Sequence, residues 1–381
     1  MVRGTFIQEI YNLDAPPLPQ PFEWMRGSAI LIIGFSMTLS LLWCIMRPSV
    51  RPIKIVPALV MLFFVQIFAA LKEYQVAGAG FEFILILLAT IVNFSLLGHL
   101  LLVRSHAMHL FFVVVQVAIV FFLISSAYIW RVAPDIAYWR GRFNGLAVHP
   151  VYTGVFCAIG VMASFYFITT RVKLRWKLFN VLIGISCLVV LGLSGTRSGI
   201  LMLTSFFIVD SFARPRKALI YLACVAVAVL LFVAVAPLVI EDKFQDDVRV
   251  VSAENTRIEV WEIMADQIIE NPFWGPMVSA SYSESSYLLA GVRIGVGGVF
   301  LTLAIALSLI IDTFRLRLGM QRTREGVSVH ASWVFAAAAA AFLALSIVEG
   351  YWVQTACFHT FLFVFICGVV NYEANRLRYP R

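Results

Sequence analysis

Long runs of apolar side chains recur along the whole chain, and they restrict its fold more than any other feature. Of 381 residues, 61% are hydrophobic and 13% are charged, which excludes an ordinary soluble domain. Because a helix needs about 20 apolar residues to cross a bilayer, we predict about eleven spans, within a range of about 10 to 12. They lie near residues 27–46, 55–71, 81–103, 107–129, 151–170, 178–194, 199–213, 218–240, 286–311, 329–348 and 352–371. The sequence therefore predicts an all-α, polytopic helix bundle that forms a single integral membrane domain over residues 1–381.

Basic residues fall in clusters between the predicted spans, and these clusters predict the orientation of the chain. Lys and Arg close to a span resist translocation, so the side that carries them is cytoplasmic. The clusters all fall on one side: 47–54, Arg104, 171–177, 214–217, 315–324 and 376–381. We therefore expect residues 130–150, 195–198 and 241–285 on the outer face. The net charge of +8 reflects this topology, and we expect no nucleic-acid partner.

The longest segment between predicted spans covers residues 241–285 and contains one predicted helix. It opens with "EDKFQDD", which we interpret as a solvated loop because calcium-loop spacing is absent. The stretch "NTRIEVWEIMADQIIENP" then has apolar residues at helical intervals, Thr256 and Glu259 at capping-box spacing, and an Asn-Pro stop. A short amphipathic helix on the membrane surface or on the bundle is the predicted structure. Arg257 would lie in its first turn, on the same face as Trp261.

The segment "LSGTRSGI" places Arg197 where one span ends and the next begins. A helix N-terminus carries a partial positive charge, so a cation there is unfavourable unless an anion binds both. Glycines at 195 and 199 would admit a ligand to the backbone. Hydroxyl groups would surround that ligand: Ser194, Thr196 and Ser198. This composition indicates an anion pocket, and the alternative is a topological anchor that extends its charge to the interface.

Arg257 repeats this arrangement, as a second cation at the start of a helix on the same side of the membrane. Two guanidinium groups suit one extended or doubly charged anion. A pyrophosphate in a lipid-linked donor fits, because guanidinium pairs phosphate oxygens bidentately. The alternative for Arg257 is an ordinary surface residue paired with Glu254 or Glu259.

The segment "RFNGLAVHPVYTG" leads into the span near 151–170 and contributes two further candidates, Arg142 and His149. We interpret Arg142 as another ligand of the diphosphate or glycan. His149 suits a general base or a phosphate partner, or, before a proline-initiated helix, an interfacial hydrogen-bonding residue. The six cysteines fall inside predicted spans without C-x-x-C spacing, so we expect neither a metal site nor a cofactor.

Taken in order, three stretches resemble the O-antigen ligase and Wzy-type polysaccharide polymerase superfamily. They are "RFNGLAVHPVYTG", "LSGTRSGILML" and the stretch from Arg257 through "NPFWG" to "ESSYLLAGVRIGVGG", all within residues 135–300. In the ligases the last stretch has the form H-[NSQ]-x9-G-x2-[GTY]. Four residues keep this spacing, with glutamate in place of the histidine: Glu284, Ser285, Gly295 and Gly298.

The resemblance implies a metal-independent, inverting glycosyltransferase of the bacterial inner membrane that acts at the periplasmic face. Its donor and acceptor would be undecaprenyl-diphosphate-linked glycans in the bilayer, and a chain-length regulator protein is a candidate partner. Arg197 and Arg257 would bind the diphosphate and stabilise the charge that grows on it. Glu284 would hold or deprotonate the acceptor hydroxyl, although an acid at that place also suits a helix dipole.

An acid in place of the ligase histidine resembles the polymerases more closely. We therefore expect a Wzy-type O-antigen or exopolysaccharide polymerase, with ligation of glycan to lipid A core or protein as the alternative. A transporter or flippase for a lipid-linked or anionic substrate is the alternative from another class. It would place ionisable groups in broken helices near mid-membrane.

Four more residues complete the predicted substrate-binding site: Trp261, Tyr287, Arg293 and Glu349. Tyr287 lies in the last resembling stretch, where it would contact the glycan. Arg293 falls inside a predicted span, and we expect it to face a cavity, paired with Glu284 or Glu349. Glu349 ends a span on the outer side, where a carboxylate opposes the helix dipole, so a pairing role, a substrate role and a solvated end stay open.

Overall fold

The structure, a computed structural model, describes residues 18–20, 22, 67, 107–139, 142–147, 149–170, 173–213, 256–275, 285–322, 327–351 and 358–378. Some of the predictions lie outside these residues. They include the spans near 27–46, 81–103 and 218–240, most of the span near 55–71, most of the 241–285 segment, and Glu284.

The described chain is mostly helical, as its apolar runs predict. Its elements in order are α1 (Ala107–Val132), α2 (Pro134–Ala137), β1 (Tyr138–Trp139), β2 (Arg142–Phe143), α3 (Pro150–Thr169), α4 (Leu174–Ser194), α5 (Arg197–Ala213), α6 (Thr256–Glu270), α7 (Ser286–Ile294), α8 (Val296–Arg322), α9 (Val327–Val348) and α10 (Phe358–Arg378). The two strands pair antiparallel, with Trp139 opposite Arg142.

Within the described residues, four helices are long and apolar enough to cross a membrane. They are His109–Val132, Pro150–Thr169, Leu174–Ser194 and Val296–Met320, and Ser332–Val348 is a shorter apolar helix. The prediction of a polytopic helical membrane protein is confirmed at this level. The total of about eleven spans stays a prediction.

The span predicted near 286–311 is wrong in one respect, because two helices, α7 and α8, replace it. Gly295 separates them with a φ of 74°. The N–H of Val296 leaves the helical pattern and donates to the carbonyl of Pro272 at 2.7 Å. A β-carbon on Gly295 would collide with that same carbonyl. The break therefore depends on a contact with the turn after α6, which hydropathy along the chain does not record.

Small residues set the closest helix contacts in the bundle. A β-carbon on Gly199 in α5 would lie 2.9 Å from the carbonyl oxygen of Gly154 in α3. Helix α9 brings a run of buried alanines, 336–339 and 341, into the core, and it packs extensively on α5. Small side chains let helix backbones approach closely in membrane proteins. The alanine run is therefore a surface on which helices pack closely.

Helix α6 covers Thr256–Glu270, where the sequence predicts an amphipathic helix. It buries Met264 and Ile268, and Ile268 packs where a β-carbon on Gly291 of α7 would be. Ile258, one of the apolar residues that recur at helical intervals, is 51% exposed. The helix thus packs on α7 through its second half, while Ile258 near its start is exposed.

The helix order separates the two ends of the bundle. One end of the bundle is the end at which α3 begins, α4 ends, α5 begins and α9 ends. We call it the site end. At the opposite end, α4 begins beside Lys173 and Arg175, and Arg317 of α8 packs its guanidinium 5.6 Å from the centre of the Phe212 ring. The described basic clusters and the predicted anion pocket therefore lie at opposite ends. The assignment of the site end to the periplasm stays a prediction.

Candidate functional site

A two-residue turn joins α4 to α5 at the site end and presents Arg197. Gly195 ends α4 in the left-handed region, with a φ of 59°, and its N–H donates to the carbonyl of Gly192 at 2.9 Å. Glycine adopts this conformation without a β-carbon penalty. Helix α5 then begins at Arg197, whose side chain is exposed. The guanidinium thus lies at the end of a tight, fully described turn.

Thr196 fixes this turn to α3 through its hydroxyl. Ser194 Oγ donates to Thr196 Oγ1 at 2.9 Å, and Thr196 Oγ1 donates to the carbonyl of Pro150 at 2.9 Å. Thr196 is fully buried, and a β-carbon on Gly154 would lie 2.5 Å from its Cβ. The hydroxyls of Ser194 and Thr196, which the sequence assigns to an anion pocket, are thus hydrogen bonded within the protein in this structure. Their contact with an anion stays a prediction.

Arg142 extends from β2 to the same turn. Its Nε donates to the carbonyl of Ser194 at 2.9 Å, and its Nη2 donates to the carbonyl of Gly195 and to Thr196 Oγ1, each at 3.3 Å. One planar guanidinium therefore contacts Ser194 at the end of α4 and both residues of the turn, three residues that we call together the Ser194–Thr196 turn. These contacts occupy donors that the sequence-based interpretation assigned to substrate.

Arg257, in the first turn of α6, contacts the end of α9. Its Nη1 donates to the carbonyl of Val348 at 2.6 Å, and its Nη2 forms an ion pair with Glu349 Oε1 at 2.9 Å. The carbonyls at a helix C-terminus carry partial negative charge, so a cation is favourable there. Glu349, which would be unfavourable at that position alone, is compensated by the guanidinium.

The first turn of α7 contacts the same place. Ser286 Oγ donates to the carbonyl of Glu349 at 2.7 Å, and the hydroxyls of Tyr287 and Ser346 are hydrogen bonded at 3.1 Å. Ser285, buried just before α7, has a φ of 71°, in the region that favours glycine. Such a conformation costs on the order of 1–3 kcal/mol in a non-glycine residue. It directly follows Glu284 in the sequence.

The two groups of contacts share one electrostatic field. Burial lowers the pKa of the Arg142 guanidinium, the carboxylate of Glu349 opposes that shift, and the charges of Arg257 and Arg197 add to it. Glu349, Arg257 and Arg197 therefore each lie within electrostatic range of Arg142. The structure brings together Arg142, Arg197, Arg257 and Glu349, which are far apart in the sequence.

His149 and Arg293 have ordinary helix-end positions. His149 caps α3, accepting a hydrogen bond from the N–H of Val151 at Nδ1, 3.2 Å away, and its ring packs against Tyr152. This is the geometry of the hydrogen-bonding alternative weighed above. Arg293 is half-buried in the last turn of α7, where a cation complements the helix dipole.

Three buried polar atoms in residues close in the sequence to Arg142, Arg197 and Arg257 have no hydrogen-bond partner among the described residues. They are Asn144 Oδ1, Ser198 Oγ and Trp261 Nε1. Ser198 directly follows Arg197, Trp261 lies one helical turn after Arg257, and Asn144 lies two residues after Arg142. A buried polar group without a partner costs about 1–3 kcal/mol. Among the described residues, no three His, Cys, Asp or Glu side chains form a metal-binding group.

The sequence identified the charged residues of the site better than it identified their hydrogen-bond and ion-pair partners. It identified Arg257 and Glu349 separately, but it suggested other partners for both. It did not single out Asn144 or the positive φ of Ser285. A carboxylate at a helix C-terminus was the available signal for the ion pair, since such a group needs a nearby cation.

Comparison of the sequence with known protein families finds no match, and no curated protein is recognisably similar to it.

Proposed function

We propose that this protein is a membrane glycosyltransferase that polymerises oligosaccharide repeats carried on undecaprenyl diphosphate, with its site at the periplasmic face. The observation that carries the proposal is the group formed at the site end by Arg142 together with the Arg257–Glu349 ion pair and Arg197, which lie within electrostatic range of Arg142. Three positive charges and one negative charge leave two positive charges there. A diphosphate diester carries two negative charges, so the group is electrostatically complementary to it.

The exposed Arg197 and the half-buried Arg257 are the residues that would hold the diphosphate. Guanidinium groups match phosphate oxygens bidentately and stay charged at every physiological pH. Phosphate can also take the place of the Glu349 carboxylate on Arg257, because both anions present paired oxygens. The donor would thus bind by exchanging one anionic partner of Arg257 for another.

The proposed reaction is a single displacement. The acceptor hydroxyl oxygen attacks the anomeric carbon of the donor sugar from the face opposite the diphosphate. The bond from that carbon to the phosphate oxygen breaks, and its electron pair stays on the leaving undecaprenyl diphosphate. Glu284 takes the hydroxyl proton. The extra negative charge on the leaving group appears beside Arg197 and Arg257, which is where preorganised cations lower the barrier.

The unpartnered polar atoms support a glycan as the remainder of the ligand. Trp261, one helical turn after Arg257, offers a buried indole N–H, and Ser198, the residue after Arg197, offers a buried hydroxyl. Sugar hydroxyl groups both donate and accept hydrogen bonds, so they would satisfy such atoms. Their satisfaction on binding would recover part of the free energy that their burial costs.

One observation favours a transporter as a second candidate. Helices α7 and α8 form a discontinuous helix, broken at Gly295 next to Arg293, and broken helices form substrate sites in many transporters. The break is already explained by the contact between Val296 and Pro272. The arginine group also lies at one end of the bundle rather than at its middle. These two facts make the enzyme the better-supported candidate.

The test uses purified protein in nanodiscs with an undecaprenyl-diphosphate-linked repeat, and separately with lipid A core. A polymerase lengthens the glycan on undecaprenyl diphosphate and releases free undecaprenyl diphosphate. A ligase instead transfers glycan to lipid A core. In liposomes, a transporter moves labelled substrate between leaflets without any new glycosidic bond. Movement without bond formation would exclude the proposed reaction, and retention of activity in EDTA is expected.

A further inference from the structure

Arg142 differs from the other two arginines of the site in what it contacts. Its hydrogen bonds all go to the turn between α4 and α5, at the carbonyls of Ser194 and Gly195 and the hydroxyl of Thr196. The carbonyl of Ser194 and that of Gly195 belong to the end of α4, where carbonyls have no partner within the helix. The guanidinium therefore supplies hydrogen bonds that the helix itself cannot provide.

The geometry requires arginine at this position. The guanidinium fork presents Nε and Nη2 in one plane, and here Nε reaches one residue of the turn while Nη2 reaches the next two. A lysine ammonium has the same charge but is a single point on a flexible stem, so it cannot span the turn in the same way. The β-hairpin that carries Arg142 is joined to the same region, because Thr153 of α3 donates to the carbonyl of Asn144 at 2.6 Å.

The turn that Arg142 holds determines the direction of the Arg197 side chain. Thr196 is fixed from three sides, by Arg142, by Ser194 and by Pro150, and Arg197 is the next residue. We infer that Arg142 is a positioning residue that holds the Ser194–Thr196 turn so that Arg197 points at the diphosphate, and that it does not itself bind substrate. This inference rests on the proposed function, since it assigns Arg197 the diphosphate as its ligand.

A double-mutant cycle tests the inference, because two residues that act through one another give non-additive effects. Arg142→Lys should lower the transfer rate about 10- to 100-fold, the range expected when a binding group is displaced by about 1 Å. In an Arg197→Lys background, Arg142→Lys should add less than about a twofold loss. In an Arg257→Lys background it should keep its full effect. Arg175→Lys is the matched control, since Arg175 is an exposed arginine of α4 at the opposite end.

A second pair of variants covers the case in which Arg142→Lys does not fold. Thr196→Val removes the hydroxyl that links Arg142, Ser194 and Pro150, and Thr196→Ser retains it. Thr196→Val should reproduce the loss and Thr196→Ser should restore the rate. A purely structural role of the hydroxyl would lower the amount of folded Thr196→Val protein and leave its transfer rate per folded molecule unchanged.

Inorganic pyrophosphate binding, measured as Kd on the same variants, separates failure of this inference from failure of the proposed function. Polymer formation with additive losses from Arg142 and Arg197 would overturn the inference alone. Pyrophosphate binding with the expected coupling but no polymer would overturn the function and leave the inference standing. A wild-type protein that neither forms polymer nor binds pyrophosphate would overturn both.

Discussion

Arg142 and Arg257 lie in the same electrostatic field, yet their surroundings differ. Arg142 is held by backbone carbonyls and one hydroxyl, whereas Arg257 is held by a backbone carbonyl and a carboxylate. Carbonyl groups are part of the chain and cannot leave. A carboxylate side chain can rotate away when another anion takes its place. Under the proposed function, this difference makes Arg142 part of the permanent structure of the site and Arg257 part of its exchangeable, ligand-binding portion.

The same contrast applies to the helices that these arginines join. Arg142 closes a turn whose glycine and threonine are fully engaged within the protein. Arg257 meets α9 beside the first turn of α7, where Ser285 has a positive φ and Glu284 immediately precedes it in the sequence. Strained backbone is commonly found at functional sites. The chemistry of the proposed reaction is therefore assigned to the Arg257 side.

The largest expected effect tests that assignment. Glu284→Gln keeps the shape of the side chain and removes the proton acceptor, so transfer should fall by about 10²–10⁴-fold. Pyrophosphate affinity should change little, because the arginines remain. The measurement is polymer formed per folded molecule from a lipid-linked repeat. Glu284→His should retain partial activity. Full activity in Glu284→Gln would show that Glu284 is not the proton acceptor.

Arg257→Lys should have the next largest effect. Loss of one charged hydrogen bond to phosphate costs about 1.5–3 kcal/mol, which corresponds to roughly a tenfold to hundredfold lower rate. Arg197→Lys should have an effect of the same size. Single-turnover rates and membrane insertion measured together check this. A wild-type transfer rate in Arg197→Lys would mean that Arg197 serves only as a topological anchor.

Glu349→Gln should separate the exchangeable partner from the permanent ones. The partly buried ion pair with Arg257 is worth up to about 1 kcal/mol. Removing its charge should therefore tighten pyrophosphate binding by up to about fivefold, because the ligand no longer displaces a carboxylate. The readout is Kd by calorimetry, with Glu259→Gln, an exposed acid of α6, as the matched control. Weaker binding in Glu349→Gln would show that the carboxylate positions Arg257 rather than competing for it.

Ser285→Gly should have the smallest effect and should act on stability. Glycine accepts a positive φ without a β-carbon penalty, so unfolding free energy should rise by about 1 kcal/mol. Activity at low temperature should stay within about twofold of wild type if the backbone conformation is unchanged. Thermal unfolding in detergent gives the first quantity. A lower unfolding temperature would mean that the serine hydroxyl, and not the backbone, dominates at this position.

The sequence by itself determined most of the long helices. Apolar runs predicted membrane helices, and helical periodicity with an Asn-Pro stop predicted α6. These signals are local, because hydropathy, capping and turn chemistry depend on residues close together in the chain. The same local reasoning identified Arg197 and Arg257 as cations at helix starts.

Only the tertiary structure decided which side chains meet. Glu349 is 92 residues from Arg257, and Thr196 is 54 residues from Arg142. Such pairs depend on which helix faces meet, and contacts such as that of Gly154 with Gly199 set those faces. The break at Gly295 depends on the carbonyl of Pro272 for the same reason. Local pattern specifies each helix, but the packing of backbones against one another specifies the hydrogen bonds between them.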